Sequence, residues 1–528
     1  MDCPQATTSA EQSPRASAGW LRNSDLGPRP RTIVIVGAGF SGTIVAINLL
    51  RLADQRPLRV VLVDRAQAAG GVAYARRPYP YLLNVPAGRM SATSSDPLEF
   101  LAFAQRSLPH SSSDDFLPRA LYGEYLESSL ALAELASSHA QLERIRGSVI
   151  AIERPHRSAV LQVYLADGRS LSADTVVLAL GNPPPAPLPG AAALRDSPRY
   201  VADPWNAPPA FRAGETVLIA GTGLTMADIV LAGNEAAKGK AVIHAISRHG
   251  LVPLPQTSFR QIHAERDGRS LVQPDSLSIR HLVRTLRALS ESAALRDGDW
   301  REVIGLLRSH APAIWQRLAV GERRRFLRHA RCYWDVHRHR LPESTWAAIN
   351  ALRRTCKLHV HAGRIGALEP AGHRIRVRWR ARGEDCPRTL LVDRVINCTG
   401  ADYDVRHTQD RLLRSLIAQG MAVPDPLGVG LVTAECGALV DARGGRVVGD
   451  IYYMGPMLRA AHWETTAVQE LRVHAEQLAC HLVSPSRNAR TRGSLTQRAP
   501  PPASNCSPVS QWESSEARNT AIEAISSG

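Results

Sequence analysis

The sequence predicts an α/β protein built from two parallel β-sheets. In two places an apolar strand runs into a Gly-x-Gly turn, and a segment with helical periodicity follows at once. Two further apolar strands, within 174–181 and 391–400, each end on a glycine. A repeated strand–turn–helix order is typical of parallel sheets that carry helices on both faces. We therefore predict two Rossmann-like dinucleotide-binding domains and, between residues 255 and 355, a helical insertion.

The first glycine turn has the features of a dinucleotide-binding βαβ unit. The first glycine allows a tight turn, the second lets the backbone approach a pyrophosphate, and the third lets helix and strand pack closely. The helix N-terminus offers free N–H groups and a positive dipole end. The next strand ends on an acid that can accept hydrogen bonds from a ribose hydroxyl. The residues assigned to this site are Gly37, Gly39, Phe40, Ser41, Gly42 and Asp64.

The second glycine turn, Gly221 and Gly223, lacks the third glycine, since Met226 stands in its place. Its following strand ends on Ser247-Arg248 instead of an acid. An acid favours NAD, whereas an arginine can hold a 2′-phosphate, so Arg248 either binds NADPH or is a solvated residue at a strand end. Two nucleotide turns in one chain indicate FAD at the first site and NADH or NADPH at the second.

Composition and strand pattern predict the division of the chain. Three short alternating segments between 149 and 172 predict an antiparallel meander. The strands that end on Gly181 and Gly400 mark where the chain leaves and re-enters a nucleotide domain, and Gly400 is included among the cofactor-binding residues. The predicted parts are a flexible lead (1–30), a first FAD-binding part (31–200), an NAD(P)H-binding domain (201–385), a second FAD-binding part (386–483) and a disordered tail (484–528).

Bulk properties exclude several classes of protein. The net charge of +16 comes almost entirely from arginine, and no aromatic-interleaved motif of an RNA- or DNA-binding protein accompanies it. The eight cysteines include no CxxC pair, which argues against a dithiol reductase and a structural zinc site. No apolar run is long enough to span a membrane. We expect a cytoplasmic protein without metal, nucleic-acid or membrane partners.

Several motifs resemble one bacterial family. Gly70–Tyr74, Leu82–Pro97 and Phe116–Gly123 resemble the signatures of an FAD/NAD(P)-binding flavoprotein monooxygenase family that includes FAD-dependent urate hydroxylase and an aspartate N-monooxygenase. Trp334–Arg340 and Trp463–Glu470 resemble its later signatures. The resemblance covers roughly residues 31–482. It implies hydride transfer from NAD(P)H to FAD and then transfer of an oxygen atom from O₂ to a small-molecule substrate.

The resemblance also implies where the flavin ring lies. The segment Asn84–Pro86 is expected near the isoalloxazine, with the backbone N–H groups of Asn84 and Val85 at the ring edge. Gly455-Pro456 stands where many flavoproteins have Gly-Asp, so that acid is absent and Gly455 alone is assigned to the cofactor. A helix predicted to begin near Trp463 would stabilise negative charge on the reduced flavin.

The sequence leaves several functions open. Urate hydroxylation to 5-hydroxyisourate is the interpretation preferred from the resemblance. The alternatives are N-hydroxylation of a small amino acid or amine, an NAD(P)H:acceptor oxidoreductase, and a non-enzymatic flavin sensor. No catalytic residue is assigned, and the oligomeric state stays open. His337–Arg340 could bind an anionic substrate, but a basic surface turn is the favoured interpretation. Arg89 has two possible roles. It binds an anionic group, of the substrate or of the flavin phosphate, or it forms a surface ion pair.

Overall fold

The computed structural model describes residues 29–53, 57–66, 70–155, 160–206, 211–257 and 277–484. The predicted N-terminal lead and C-terminal tail lie outside these stretches, apart from residues 29, 30 and 484. No helix within the described stretches is long and apolar enough to cross a membrane.

The described residues form β-strands and α-helices that alternate along much of the chain. The strands are β1 (Arg31–Val36), β2 (Leu58–Asp64), β3 (Ala140–Arg146), β4 (Val149–Glu153), β5 (Leu161–Leu165), β6 (Ser170–Ala173), β7 (Thr175–Leu178), β8 (Tyr200–Val201), β9 (Thr216–Ala220), β10 (Val242–Ser247), β11 (Pro255–Gln256), β12 (Leu341–Pro342), β13 (Leu358–Ala371), β14 (Arg374–Ala381), β15 (Arg388–Val392), β16 (Arg394–Asn397), β17 (Ala438–Val440) and β18 (Val447–Tyr453). The helices are α1 (Phe40–Leu52), α2 (Gly71–Tyr74), α3 (Glu99–Gln105), α4 (Arg119–Ala136), α5 (Leu224–Ala236), α6 (Ile279–Ala294), α7 (Trp300–Arg317), α8 (Val320–Arg325), α9 (Arg331–Arg338), α10 (Glu343–Arg354), α11 (Arg411–Ala418) and α12 (Val468–Val483).

The first sheet has the strand order β17-β18-β7-β1-β2-β3. Its neighbouring strands are parallel except for β17 and β18. Strands from 31–178 therefore share one sheet with strands from 438–453, which confirms that the first dinucleotide domain is split in sequence. The predicted meander is present as a separate antiparallel sheet of β4, β5 and β6.

The second sheet has the strand order β15-β14-β13-β10-β9-β16-β8. The domain boundary predicted at residue 386 is wrong, because β15 and β16 belong to this sheet. In particular, β16 pairs in parallel with β9, with Ile396 opposite Ile219. A buried apolar strand carries no local signal of which sheet it joins, so the sequence assigned it to the wrong domain. The second part of the first domain begins after Gly400.

The predicted helical insertion is confirmed by helices α6 to α10. Side-chain caps begin two of these helices: Ser278 accepts a hydrogen bond from the backbone N–H of His281, and Asp299 accepts one from that of Arg301. Apolar side chains of α6, α7 and α9 form a core that includes Trp463 from the first domain. This packing places the insertion directly against the segment that follows β18.

The closing helix begins later than the sequence predicts. Trp463 and Glu464 lie in turns, and α12 starts only at Val468. Glu464 is only 3% exposed. Its carboxylate accepts hydrogen bonds from Trp334 Nε1 at 2.9 Å and Arg338 Nε at 2.8 Å, both of which belong to α9. The expected charge-stabilising helix N-terminus at Trp463 is therefore wrong, because long-range contacts hold this segment outside the helix.

Candidate functional site: two nucleotide turns and an arginine-rich junction

The first glycine turn is closed so tightly that two of its positions accept only glycine. Gly37 has φ +108°, and a Cβ there would lie 2.2 Å from the carbonyl oxygen of Ala179. A Cβ on Gly42 would lie 1.8 Å from the carbonyl oxygen of Gly37. The backbone N–H of Gly37 donates to the carbonyl oxygen of Val63 at 2.8 Å, which fixes the turn at the carboxyl ends of the parallel strands. Ligands of open α/β sheets bind at this edge.

Gly39 differs from Gly37 and Gly42 because the position that its Cβ would take is open. It is the N-cap of α1 with an extended backbone (φ −70°, ψ −173°), and a Cβ there would meet only Gly71 Cα, at 3.9 Å. Phe40 and Ser41 are buried in the first turn of α1, so they would reach a cofactor through their backbone N–H groups, which have no partner inside the helix. The open space and the helix N-terminus together fit a pyrophosphate.

Asp64 lies at the end of β2, beside this turn. Its two carboxylate oxygens accept hydrogen bonds from the backbone N–H groups of Ala38 at 2.6 Å and Ala66 at 2.7 Å. The carboxylate also lines a cleft of about 370 Å³ whose other wall includes Arg144 and Arg146 of β3. A cleft bounded by the ends of β1, β2 and β3 fits the adenosine half of FAD, with Asp64 placed for the ribose.

The predicted flavin loop and Gly455 come from separate parts of the chain. Backbone hydrogen bonds hold the loop on both sides, at Leu83 and Ala87, whereas the N–H groups of Asn84 and Val85 have no acceptor among the described residues. Gly455 has φ +147°, and a Cβ there would lie 2.9 Å from Tyr453 Oη and 3.7 Å from Ser41 Oγ. The free donors of the loop, and the position of Gly455 near the first turn of α1, fit a flavin that extends from the first glycine turn.

The second glycine turn repeats the geometry of the first. Gly221 has φ +107°, and a Cβ there would lie 2.3 Å from the carbonyl oxygen of Cys398. Gly223 is the extended N-cap of α5, and no atom stands within 4 Å of the position that its Cβ would take. Met226, where a third glycine was expected, packs into the domain core. Gly400 follows β16, and β16 belongs to the second sheet. Gly400 therefore belongs with the second glycine turn.

The end of β10 carries a serine and an arginine in place of an acid. Ser247 occupies the strand position that Asp64 has in the first domain, and Thr222 donates a hydrogen bond to its hydroxyl at 2.8 Å. The neighbouring His249 has a lowered pKa because of burial and of the nearby arginines Arg382, Arg248 and Arg364. Arg248 is thus one member of a three-arginine cluster whose other members come from β13 and the turn after β14.

A buried ion pair fixes the two dinucleotide domains to each other. Arg119, the first residue of α4, donates to Asp228 of α5 at 2.8 Å and to the carbonyl oxygen of Leu82 at 2.9 Å. Both side chains are less than one-fifth exposed. Since Leu82 begins the flavin loop, this contact connects that loop to the helix of the second nucleotide turn. The sequence analysis missed Arg119 and Asp228, because they lie more than a hundred residues apart.

The segment His337–Arg340 is not the basic surface turn that the sequence favoured. Arg338 is 13% exposed and forms an ion pair with Glu464. Burial and the adjacent Arg338 lower the pKa of His339 to about 4. Arg340 has two nitrogens, Nε and Nη1, that are buried without a hydrogen-bond partner in the described part of the chain. Arg338, His339 and Arg340 are partly buried because α9 packs against the first domain.

These features are those of a two-domain dinucleotide-binding flavoprotein with a helical insertion at the domain junction. Residues 34–183 match the model of a family described as FAD-NAD(P)-binding. No curated protein matches the chain in sequence. Within the described residues, no group of three or more His, Cys, Asp or Glu side chains is arranged to hold a metal ion.

Several solved structures share this fold. A reduced ornithine hydroxylase from Pseudomonas aeruginosa is 17% identical, with a TM-score of 0.57 over 86% of this chain and 99% of that chain. An L-lysine 6-monooxygenase from Pseudomonas syringae is 15% identical, with a TM-score of 0.58 over 85% and 98%. An FAD-bound cadaverine monooxygenase from Erwinia amylovora is 14% identical, with a TM-score of 0.55 over 90% and 99%. The predicted fold class is confirmed: the chain has the fold of an FAD-dependent oxidoreductase, and the family match supports FAD and NAD(P)H as its cofactors.

Proposed function

We propose that the protein is an N-hydroxylating monooxygenase that uses FAD, NADPH and O₂ on a primary amine. The observation that carries this proposal is the pair of equivalent glycine turns, which lie in two domains joined by the Arg119–Asp228 ion pair. The similar structures are those of an ornithine hydroxylase, an L-lysine 6-monooxygenase and a cadaverine monooxygenase. They support the N-hydroxylating alternative from the sequence more than urate hydroxylation, for which they offer no support.

The chain would contribute binding, orientation and electrostatics to this reaction. Bound FAD, reduced by NADPH, would supply the oxygen-transfer chemistry. The first turn, with Gly39 and Asp64, would hold the FAD pyrophosphate and ribose. The N–H groups of Asn84 and Val85 would hold the ring edge, and the Arg119–Asp228 ion pair would fix the second domain so that the nicotinamide reaches the flavin.

The proposed reaction is tested by product analysis with purified, FAD-loaded protein. NADPH oxidation is followed with L-ornithine, L-lysine, L-aspartate, cadaverine and urate, each under ¹⁸O₂. We expect one amine to gain a single ¹⁸O atom and to give a hydroxylamine. Incorporation into urate instead would establish urate hydroxylation. NADPH consumption with hydrogen peroxide as the only oxygen product for every compound would contradict both reactions.

We predict that the three-arginine cluster makes the enzyme prefer NADPH. Arg248→Ala should raise the KM for NADPH about 10- to 100-fold, because a charge-assisted hydrogen bond contributes roughly 1.5–3 kcal/mol. The KM for NADH should not change, since NADH has no 2′-phosphate. Steady-state kinetics with both cofactors measure this difference, and Arg354→Ala, an exposed arginine on α10, is the control. Equal changes with NADH and NADPH would remove Arg248 from the 2′-phosphate site.

A further inference from the structure

Arg340 lies where the helical insertion meets the first domain. It follows α9 and precedes β12, and its electrostatic neighbours come from three separate segments. Burial lowers its pKa to about 10, with further lowering by Arg301, Arg338 and Arg89 and a partial offset by Asp299. Arg89 ends the short helical turn that follows Asn84–Pro86. Arg338, two residues before Arg340, forms an ion pair at 2.8 Å with Glu464, in the segment that follows Gly455. Arg340 therefore lies where α9 packs against the first domain, and Arg89 acts on it electrostatically from the loop that is proposed to contact the flavin.

The charges in this cluster do not balance. Arg338 is paired with Glu464, and Arg301 is paired with Asp299. In the described part of the chain, Arg340 and Arg89 have no carboxylate within ion-pair distance, and Arg340 Nε and Nη1 are buried without an acceptor. Burying guanidinium donors without partners costs free energy. An anion that binds here would satisfy these donors and neutralise the excess charge.

The neighbouring side chains hold the cluster in place. Arg301 is fixed by Asp299 at 2.8 Å, donates to the carbonyl oxygen of Pro255 at 3.3 Å, and stacks over Trp300 at 4.5 Å. Arg340 lies 6.0 Å from the same indole ring. Trp300 also meets His337 edge to face, with ring centroids 5.0 Å apart. These contacts hold Arg301 and Trp300 in one arrangement beside Arg340.

We propose that Arg340, with Arg301 and Arg89, binds a carboxylate group of the substrate. The guanidinium fork matches the geometry of a carboxylate and can bind it through two hydrogen bonds. This inference rests on the proposed function and narrows it: the hydroxylated amine is an amino acid, and the corresponding simple diamine, which adds positive charge to an already basic site, is rejected. A cofactor phosphate has related anion chemistry and is the alternative that the test must separate.

The test uses binding to the FAD-loaded protein and needs no turnover. Difference spectra of the oxidised flavin are titrated with L-ornithine and putrescine, and with L-lysine and cadaverine, which differ by one carboxylate in each pair. L-aspartate, which has a second carboxylate, and urate, which is an anion without a carboxylate, are titrated as well. We expect measurable binding of at least one amino acid and affinity at least about tenfold weaker for its decarboxylated counterpart. Arg340→Gln should weaken the binding of the amino acid about 10- to 100-fold.

Matched variants separate a carboxylate site from the alternatives. Arg340→Lys should restore part of the affinity, since it keeps the charge but loses the fork. Arg89→Gln, at an exposed position, tests the same site without disturbing buried packing, and Arg324→Gln on α8 is the exposed control. Diamines that bind as tightly as amino acids would overturn the inference. A rise in the KM for NADPH in Arg340→Gln, with unchanged carboxylate affinity, would overturn it in favour of a cofactor phosphate. Carboxylate binding without hydroxylation would overturn only the proposed function.

Discussion

Gly39→Trp is expected to give a folded protein that purifies without flavin. The Gly39 backbone is extended, and the space that a Cβ would enter is open as far as Gly71 Cα, so the fold should accept a side chain there. An indole would nevertheless fill the space at the N-terminus of α1 where the pyrophosphate is proposed to bind. We expect affinity for FAD to fall more than about 100-fold, which corresponds to roughly 3 kcal/mol. The visible spectrum, FAD content and thermal unfolding measure this result.

The control for this prediction is Gly39→Ala. A single methyl group meets only ordinary van der Waals contact with Gly71, so this variant should remain yellow with moderately weaker binding. Gly37 and Gly42 are unsuitable for the test, because a Cβ at either position collides with a backbone carbonyl and would disturb the fold itself. A folded, yellow Gly39→Trp protein with normal FAD content would show that the pyrophosphate lies elsewhere.

Gly223→Trp is expected to give the opposite phenotype: a yellow protein that NADPH no longer reduces. Gly223 holds the position in the second domain that Gly39 holds in the first, and nothing stands within 4 Å of the position that its Cβ would take. An indole there would block the N-terminus of α5 and leave the first turn untouched. Anaerobic stopped-flow measurements should show flavin reduction by NADPH slowed more than about 100-fold, equivalent to roughly 3 kcal/mol.

Chemical reduction provides the control for the second site. Dithionite should reduce the flavin of Gly223→Trp as completely as that of the unaltered protein, because dithionite needs no nucleotide site. Gly223→Ala should keep most of the reduction rate. If NADPH reduces Gly223→Trp at the normal rate, the nicotinamide cofactor does not use this turn. The two tryptophan variants together would then distinguish a wrong assignment of one turn from a wrong assignment of both.

The sequence predicted the parts of the site whose geometry is local. Gly37, Gly39 and Gly42 belong to one continuous turn, and Asp64 ends the neighbouring strand, so their relative positions follow from a single βαβ unit. The structure places all four together. The glycines of the second turn follow the same rule. Arg248 was identified by its position after a strand, but the other two arginines of its cluster were not, because they come from another part of the second sheet.

The sequence did not predict the surroundings of residues whose neighbours come from distant segments. His337–Arg340 looks like an exposed basic turn because four polar residues follow one another. Arg338 in this segment is instead bound to Glu464, which lies more than a hundred residues away and remains outside the closing helix. The buried strand β16 was assigned to the wrong domain for a related reason, since pairing with β9 is visible only in three dimensions.

The two nucleotide turns can be predicted from the sequence alone, because glycine is the residue that meets the need for a positive φ or for the absence of a Cβ at one position. The split first domain and the helical insertion are also predictable, through strand order and hydrophobic periodicity. The domain boundary, the Arg119–Asp228 contact and the surroundings of Arg340 depend on the folded arrangement. The charge balance and burial of a side chain depend on all the segments that pack around it. No single stretch of sequence therefore determines them.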